Sequence, residues 1–495
     1  MLKTFVRHMV AYLPSKLLPA LTGFITAPIL TRLLLPAEYG NWALAAGVYE
    51  LLFALSCSGL ASVPVRFFPA YRAKSELGVF FVTLSISLVM LIAITSTVGF
   101  LAIFTLEGYL PPTLFPLLII SVLIFMVQAM YTVFLAVVQA QQRSRVYSFF
   151  ELLTRYGGLG LGLLLVIVFG FRVEGLLWGE CLMLALVFPF LLFLTIKGVS
   201  LRPRHFRPAA AFEMWRYAWP LALGNMAMWG LRLSDRYIIS FFRSESEVGL
   251  YSVAYSISGK SIDMLVALFL LSTVPMVMSA WENQGREATE KTLAMMTRLF
   301  LTLCLPAAAG LSLMARPFVA LLTAEAYHEG YRIVGYVAFS SFAWGLFMIA
   351  NMGSLIKKDT RQIAINQGVA ASVNLGLNLV LVPRFGFVAA GITTLVGYAV
   401  LLALQAHTSR PHLTWLFPFK TLRNVVIATT GMGLAVFAVN AMSGNWDGPH
   451  LGYLFLSIVV GVLVYLILLL LLGEANEGER TAAKRFWREV AGKAG

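Results

Sequence analysis

The chain has 495 residues, 59% of them hydrophobic and only 12% charged, with a formal net charge of +14 and a mean hydropathy of +0.82. So few charges cannot cover the surface of a water-soluble globule of this length, so a soluble fold is excluded and an all-α integral membrane protein is expected. The positive charge is scattered rather than gathered on one patch, which argues against a nucleic-acid partner.

A span needs roughly 20 apolar residues to cross about 30 Å of hydrocarbon. Taken in chain order, the apolar stretches predict about fourteen spans, at residues 8–32, 42–63, 78–105, 113–138, 147–169, 174–196, 213–241, 248–279, 293–314, 333–355, 363–382, 387–406, 421–440 and 451–472. No small-residue cleavage site follows the first stretch, so it is expected to be a retained helix rather than a signal peptide. If the N-terminus is inside, 25 of the 37 Lys and Arg fall in cytoplasmic loops and 6 in outside loops. That asymmetry predicts that both termini are cytoplasmic.

The chain repeats itself. Residues 159–175 (LGLGLLLVIVFGFRVEG) align with 375–391 (LGLNLVLVPRFGFVAAG), sharing Phe169-Gly170-Phe171 and Gly175 with Phe385-Gly386-Phe387 and Gly391. Glu38-Tyr39-Gly40 aligns with Glu247-Val248-Gly249, and Tyr12-Leu13-Pro14 more weakly with Tyr217-Ala218-Trp219-Pro220. The shared glycines suit tight turns that need positive φ. A unit of about six spans enters the membrane the same way twice, which predicts two parallel-repeat lobes related by an axis along the membrane normal.

The expected layout is an N-lobe at 1–196, a basic cytoplasmic linker at 197–211 acting as a hinge, and a C-lobe at 212–406. Two extra C-terminal helices within 407–472 and a cytoplasmic tail at 473–495 complete it. The tail is read either as a short amphipathic helix presenting Phe486, Trp487 and Val490 to the membrane surface or as a frayed basic end.

Charges inside spans are costly, so they normally face a cavity or one another. The chain places Lys16, Glu50, Arg155, Glu180, Arg232, Asp235, Arg236, Lys260, Asp263 and Arg298 within its predicted spans. Arg232, Asp235 and Arg236 fall on one helical face, and Lys260 and Asp263 lie three apart. Each set reads either as a self-neutralising ion pair that fixes helix packing or as a lining for a phosphate-bearing substrate. In the second reading Lys16, Arg232, Arg236 and Lys260 bind substrate. The acids Glu50, Asp235, Asp263 and Glu180 then ease the empty site or carry a coupling ion. Lys16 can instead snorkel to the interface, as can Arg155 and Arg298. Asn374 and Asn378 read as helix–helix glue. Three scattered cysteines and six histidines near span ends form no metal-ligand pattern, and no cofactor is expected. There is no HExxH, GxSxG or P-loop, so no enzyme activity and no ATP hydrolysis are expected on this chain.

Several stretches resemble one family. Thr31-Arg32-Leu33-Leu34-Leu35-Pro36-Ala37-Glu38-Tyr39-Gly40 resembles the loop after the first span of Wzx-type polysaccharide-biosynthesis membrane proteins. So do Trp219-Pro220-Leu221 followed by Asp235-Arg236, the segment Glu247-Val248-Gly249-Leu250-Tyr251, and Asn374 to Asn378 leading into Pro383-Arg384-Phe385-Gly386. The resemblance covers about residues 8–406. These proteins belong to the multidrug/oligosaccharidyl-lipid/polysaccharide exporter superfamily.

The resemblance implies a flippase in the bacterial cytoplasmic (inner) membrane. Its substrate would be a lipid-linked oligosaccharide on undecaprenyl pyrophosphate, moved by two rocking lobes with H+ or Na+ as coupling ion. Membrane lipids surround it, and a polysaccharide polymerase or glycosyltransferase is the partner such a pathway implies. Two alternatives stay open: a cation/drug antiporter of the same superfamily and a flippase for peptidoglycan precursors. A scaffold for envelope enzymes is a third, and it leaves the charges within the spans unexplained.

Overall fold

The structure is a computed structural model that describes residues 25–357, 359–442 and 451–474. Among these residues every regular element is a helix. The described part of the first helix, α1, covers residues 25–33. The remaining helices are α2 (Pro36–Ser56), α3 (Val63–Ala73), α4 (Leu77–Thr105), α5 (Phe115–Ala140), α6 (Ser144–Phe169), α7 (Arg172–Ile196) and α8 (Pro208–Phe242). They continue with α9 (Glu245–Leu313), α10 (Ala315–Leu322), α11 (Tyr331–Ala350), α12 (Met352–Ile356), α13 (Thr360–Phe385), α14 (Phe387–Thr408), α15 (Phe419–Met442) and α16 (Leu451–Leu471). Ten helices among the described residues are long and apolar enough to cross a membrane, or eleven if α2 and the Leu60–Ala73 segment, bent by 66°, form one span. The chain is a multi-pass membrane protein.

The helix boundaries follow local chemistry. Pro36 opens α2 with its fixed φ, and the Glu38 carboxylate accepts the Leu35 N–H at 2.9 Å. Ser244 caps α9 by accepting the Glu247 N–H at 3.2 Å. Gly170 and Gly386, the glycines shared by the two repeats, adopt φ of +73° and +64° between α6 and α7 and between α13 and α14. That is the backbone the repeated motif predicted.

The structure departs from the sequence reading in three places. Segments 248–279 and 293–314 lie on two helices of the α9 run that meet at a kink at Gly285 (φ +82°), so the expected break is present but the stretch around it is helical rather than a loop. Charged pairs four apart, Arg286–Glu290 at 2.9 Å and Glu287–Lys291 at 2.7 Å, support helix through the polar stretch that reads as a loop. Helix α8 starts at Pro208, inside the expected linker, because Pro208 followed by alanines is a good helix start. The linker is also tied down: Arg207 pairs with Glu76 at 2.9 Å and donates its backbone N–H to the Thr83 hydroxyl at 3.3 Å. The tail residues Phe486, Trp487 and Val490 lie outside the described residues.

One core runs through α2, α4, α5, α7 and the first part of α9, and a second joins α9 to α11. The two halves meet closely where α2 and α9 begin. A Cβ on Gly40 would run into the Glu245 carbonyl, and a Cβ on Gly249 would run into the Pro36 carbonyl. Around this contact Tyr237 donates to the Leu44 carbonyl at 2.9 Å, and Tyr327 donates to the Leu34 carbonyl at 2.9 Å. Glu38 and Glu247 also act alike. Glu38 pairs with Arg172 at the head of α7 at 2.7 Å, and Glu247 accepts the Phe387 N–H at the head of α14 at 3.0 Å.

Candidate functional site

Between the halves lies a cavity of about 680 Å³, lined from α2, α5, α8 and α9. Of the residues singled out in the sequence, Glu50, Arg232, Arg236, Lys260 and Asp263 line it. Helical spacing explains the α8 wall. Asn225, Trp229, Arg232 and Arg236 recur at three- and four-residue intervals on one face. Helix α9 brings Tyr255, Ser256, Lys260 and Asp263 from the opposite direction.

The cations are held differently. Arg236 is buried: its Nε donates to the Ser252 hydroxyl at 3.1 Å, its Nη1 donates to the Arg232 carbonyl at 2.9 Å, and its guanidinium lies 5.0 Å from the Tyr255 ring centre. Arg232 is half-exposed to the cavity and meets Asp263 at 3.9 Å, a long ion pair. Lys260 has no hydrogen-bond or ion-pair partner among the described residues. An unpaired ammonium and a loosely paired guanidinium form a site that can take an anion with little rearrangement, the guanidinium as a fork and the ammonium as a point charge. Glu50 and Asp263 place two acids in the same cavity.

Four charged residues singled out in the sequence, Asp235, Glu180, Arg298 and Arg155, do not line this cavity. Asp235 does not share the cavity with its neighbours. It is buried behind the α8 wall, bonded to the Tyr251 hydroxyl, to the Thr394 hydroxyl at 3.3 Å and to the Arg236 N–H at 2.9 Å, with Arg236 Nη1 at 3.7 Å. Glu180 sits between α7 and α2 and accepts from the Tyr49 hydroxyl at 3.2 Å. Arg298 is bound to Glu474 at 3.1 Å, near the end of α16. Arg155 does not line the cavity, and Lys16 lies outside the described residues. Asn378 accepts from Thr393 and donates to Asn374 at 3.3 Å, so it joins α13 to α14.

Sequence reasoning missed the uncharged lining: Gln128, Asn225, Trp229 and Ser256. Nothing in composition flags a polar amide inside a long apolar helix as facing a cavity rather than a neighbour. The only available signal is that Asn225 and Trp229 continue the stripe of Arg232 and Arg236. Among the described residues no cluster of three or more His, Cys, Asp or Glu could hold a metal ion.

Residues 29–332 match the profile of a family described as "Polysaccharide biosynthesis protein". Two archaeal proteins of Haloferax volcanii are related in sequence. The probable low-salt glycan biosynthesis flippase Agl15 is 25% identical over 52% of this chain and 53% of its own length. The probable flippase AglR is 23% identical over 61% of this chain and 62% of its own. The aligned region thus spans between half and two thirds of these relatives. Among solved structures, the lipid II flippase MurJ in an inward closed conformation superposes with a TM-score of 0.66 at 14% identity, covering 86% of this chain and 96% of MurJ. An inward-facing multidrug resistance MATE transporter superposes with a TM-score of 0.61 at 14% identity, covering 79% and 97%. At these identities the likeness is one of fold.

Proposed function

Because the chain belongs to the polysaccharide biosynthesis protein family, we propose that it is a flippase for a lipid-linked oligosaccharide, moving a polyprenyl pyrophosphate-borne glycan across the cytoplasmic membrane for cell-surface polysaccharide synthesis. The observation that carries this reading is the cavity. It places Arg232, Arg236 and Lys260 together within the spans, with Lys260 unpaired among the described residues. Cations kept in an apolar protein at the cost of insertion fit an anionic cargo, and a pyrophosphate is the anion such a carrier presents. Both archaeal relatives are named as probable flippases, and the name of one, a low-salt glycan biosynthesis flippase, agrees with the class of cargo.

In this proposal the chain has fourteen spans with both termini inside, and the lobes are parallel repeats. The reciprocal contacts of Gly40 and Gly249 support a two-fold relation. In that orientation the lobes are closed at the outer end, where Trp229 donates to the Gly47 carbonyl at 3.1 Å and Tyr237 to Leu44, so the cavity serves the inner leaflet. Alternating access then breaks these contacts and reforms others at the inner end. An ion gradient drives the cycle through the acids Glu50, Asp263, Asp235 and Glu180. Glu50 and Asp263 are within reach of cargo and ion alike, and Asp235 and Glu180 sit behind the cavity walls. Lys16, on the first span, is proposed to complete the cationic lining.

The test is leaflet accessibility of a polyprenyl pyrophosphate-linked oligosaccharide in proteoliposomes, with and without an imposed pH or sodium gradient. Protein-dependent, gradient-sensitive translocation is expected. Movement of organic cations alone would overturn the reading in favour of a drug antiporter.

A further inference from the structure

The contact between Gly40 and Gly249 closes one end of the cavity, and α2 and α9 leave it in the same direction. Counted along these helices, Gly47, Glu50 and Lys260 lie roughly 10, 15 and 16 Å from that contact. The closed end and the cations of the cavity are therefore about one helical turn apart.

Trp229 spans this gap. It lines the cavity, and its Nε1 donates to the Gly47 carbonyl at 3.1 Å. Among the described residues, no other lining side chain makes a hydrogen bond or ion pair from one half to the other. The ring of Trp229 lies 5.6 Å from that of Tyr237, which donates to the Leu44 carbonyl at 2.9 Å. The Tyr237 hydroxyl also covers Gly47, where a Cβ would collide with it. Tyr327, bonded to the Leu34 carbonyl at 2.9 Å, extends the row. All three donors belong to the C-terminal half, and all three acceptors are backbone carbonyls of the N-terminal half.

This row can open at little cost on its acceptor side. Leu44 and Gly47 lie inside α2, so each carbonyl keeps its own helix bond when the side-chain donor leaves. The donor side is different. An indole N–H has one proton to give, and leaving it unpaired away from water is costly. In the empty cavity the Gly47 carbonyl accepts it. A diphosphate held by Lys260 and by Arg232, three residues further along the same face of α8, brings anionic oxygens close to the indole. A hydrogen bond to an anion is roughly twice as strong as one to a neutral carbonyl.

We propose that Trp229 couples the cargo site to the closed end of the cavity. A bound diphosphate takes the indole N–H from Gly47, Tyr237 loses the ring that backs it and releases Leu44, and the halves part. This rests on the flippase reading and names the residue that senses the cargo. Trp229 acts on the closed end through Tyr237, as a positioning residue.

The experiment reads the separation of the halves by pulsed electron paramagnetic resonance in the full-length protein in nanodiscs. Nitroxides are attached at Tyr109→Cys and Arg384→Cys, exposed positions of the two halves at the closed end, and the native Cys57, Cys181 and Cys304 are buried. Polyprenyl pyrophosphate is the probe, and its binding is measured in the same nanodiscs. The wild type should show a short separation alone and gain a longer one when the probe binds. Trp229→Phe keeps a ring and removes the N–H. It should raise the ratio of long to short separations roughly five-fold before any probe is added, the effect of one net hydrogen bond. It should then bind the probe without a further change. Tyr237→Phe should raise the ratio by a similar factor and still respond to the probe. If Trp229→Phe responds as Tyr237→Phe does, Trp229 is one more closing contact and the coupling is overturned. A wild type that binds the probe with no change in separation overturns it too. A wild type that does not bind polyprenyl pyrophosphate overturns the flippase reading itself.

Discussion

Gly40 and Gly249 occupy matching places in the two halves of the chain, and each lies against the backbone that precedes the other. Gly40 packs on Glu245 and Gly249 packs on Pro36, and both partners sit four residues before the opposing glycine. Reciprocity of this kind is what a two-fold axis produces. It leaves no room for a side chain on either residue.

Replacing either glycine with valine should therefore force the halves apart at this end, at a cost of about 1–3 kcal/mol for each overpacked contact. Thermal unfolding in detergent checks this. The double variant should lose less than the two single losses combined, because both act on one interface. Strict additivity would mean that the two contacts are independent.

The cavity cations predict different behaviour for two substitutions. Lys260→Ala should abolish glycan export and leave the melting temperature near that of the wild type, since no described residue pairs with the ammonium. Arg236→Ala should also abolish export but lower stability by about 3–5 kcal/mol, because it leaves Asp235 buried without its cation. Export in cells and unfolding of the purified proteins separate the two. Normal export in both variants would make these residues structural.

Glu50→Gln should remove the dependence of transport on the ion gradient while cargo still binds. Proteoliposome flux with and without the gradient reads this directly, and unchanged coupling would exclude Glu50 as the ion site.

A pH effect is expected outside the spans. The Asp359 carboxylate is held below its ordinary range, first by a hydrogen bond from His412 (3.2 Å) and then by the Gln362 N–H that it caps (3.2 Å). A depressed folded-state value stabilises the start of α13 above the ordinary aspartate value of about 3.9 and loses that stabilisation as pH falls through the lower folded value. Protection of the amides in the first turn of α13, taken relative to the intrinsic exchange rate at each pH, should therefore fall in acid, and Asp359→Ala should show the lower protection already at neutral pH.

Much of this protein is legible before folding is considered. Length and apolar content require membrane helices, because nothing else buries so many hydrophobic side chains while satisfying the backbone. The glycines at 170 and 386 announce their turns, and the repeated Glu-x-Gly tripeptides mark the place where the halves meet. The charged residues of α8 and α9 mark a candidate site because charge within a span is costly, and Arg232, Arg236, Lys260 and Asp263 do line one cavity. Tertiary structure decides which way each side chain faces. Helix α8 carries polar and charged residues on more than one face, so the sequence cannot separate Arg236, at the cavity, from Asp235, one residue earlier and behind the wall. It also cannot reveal that Gln128 and Asn225, about a hundred residues apart, line the same cavity, or that Arg298 is bound by Glu474. Those assignments depend on which helices pack together and at what rotation, and packing across long sequence separations is fixed only when the whole bundle closes.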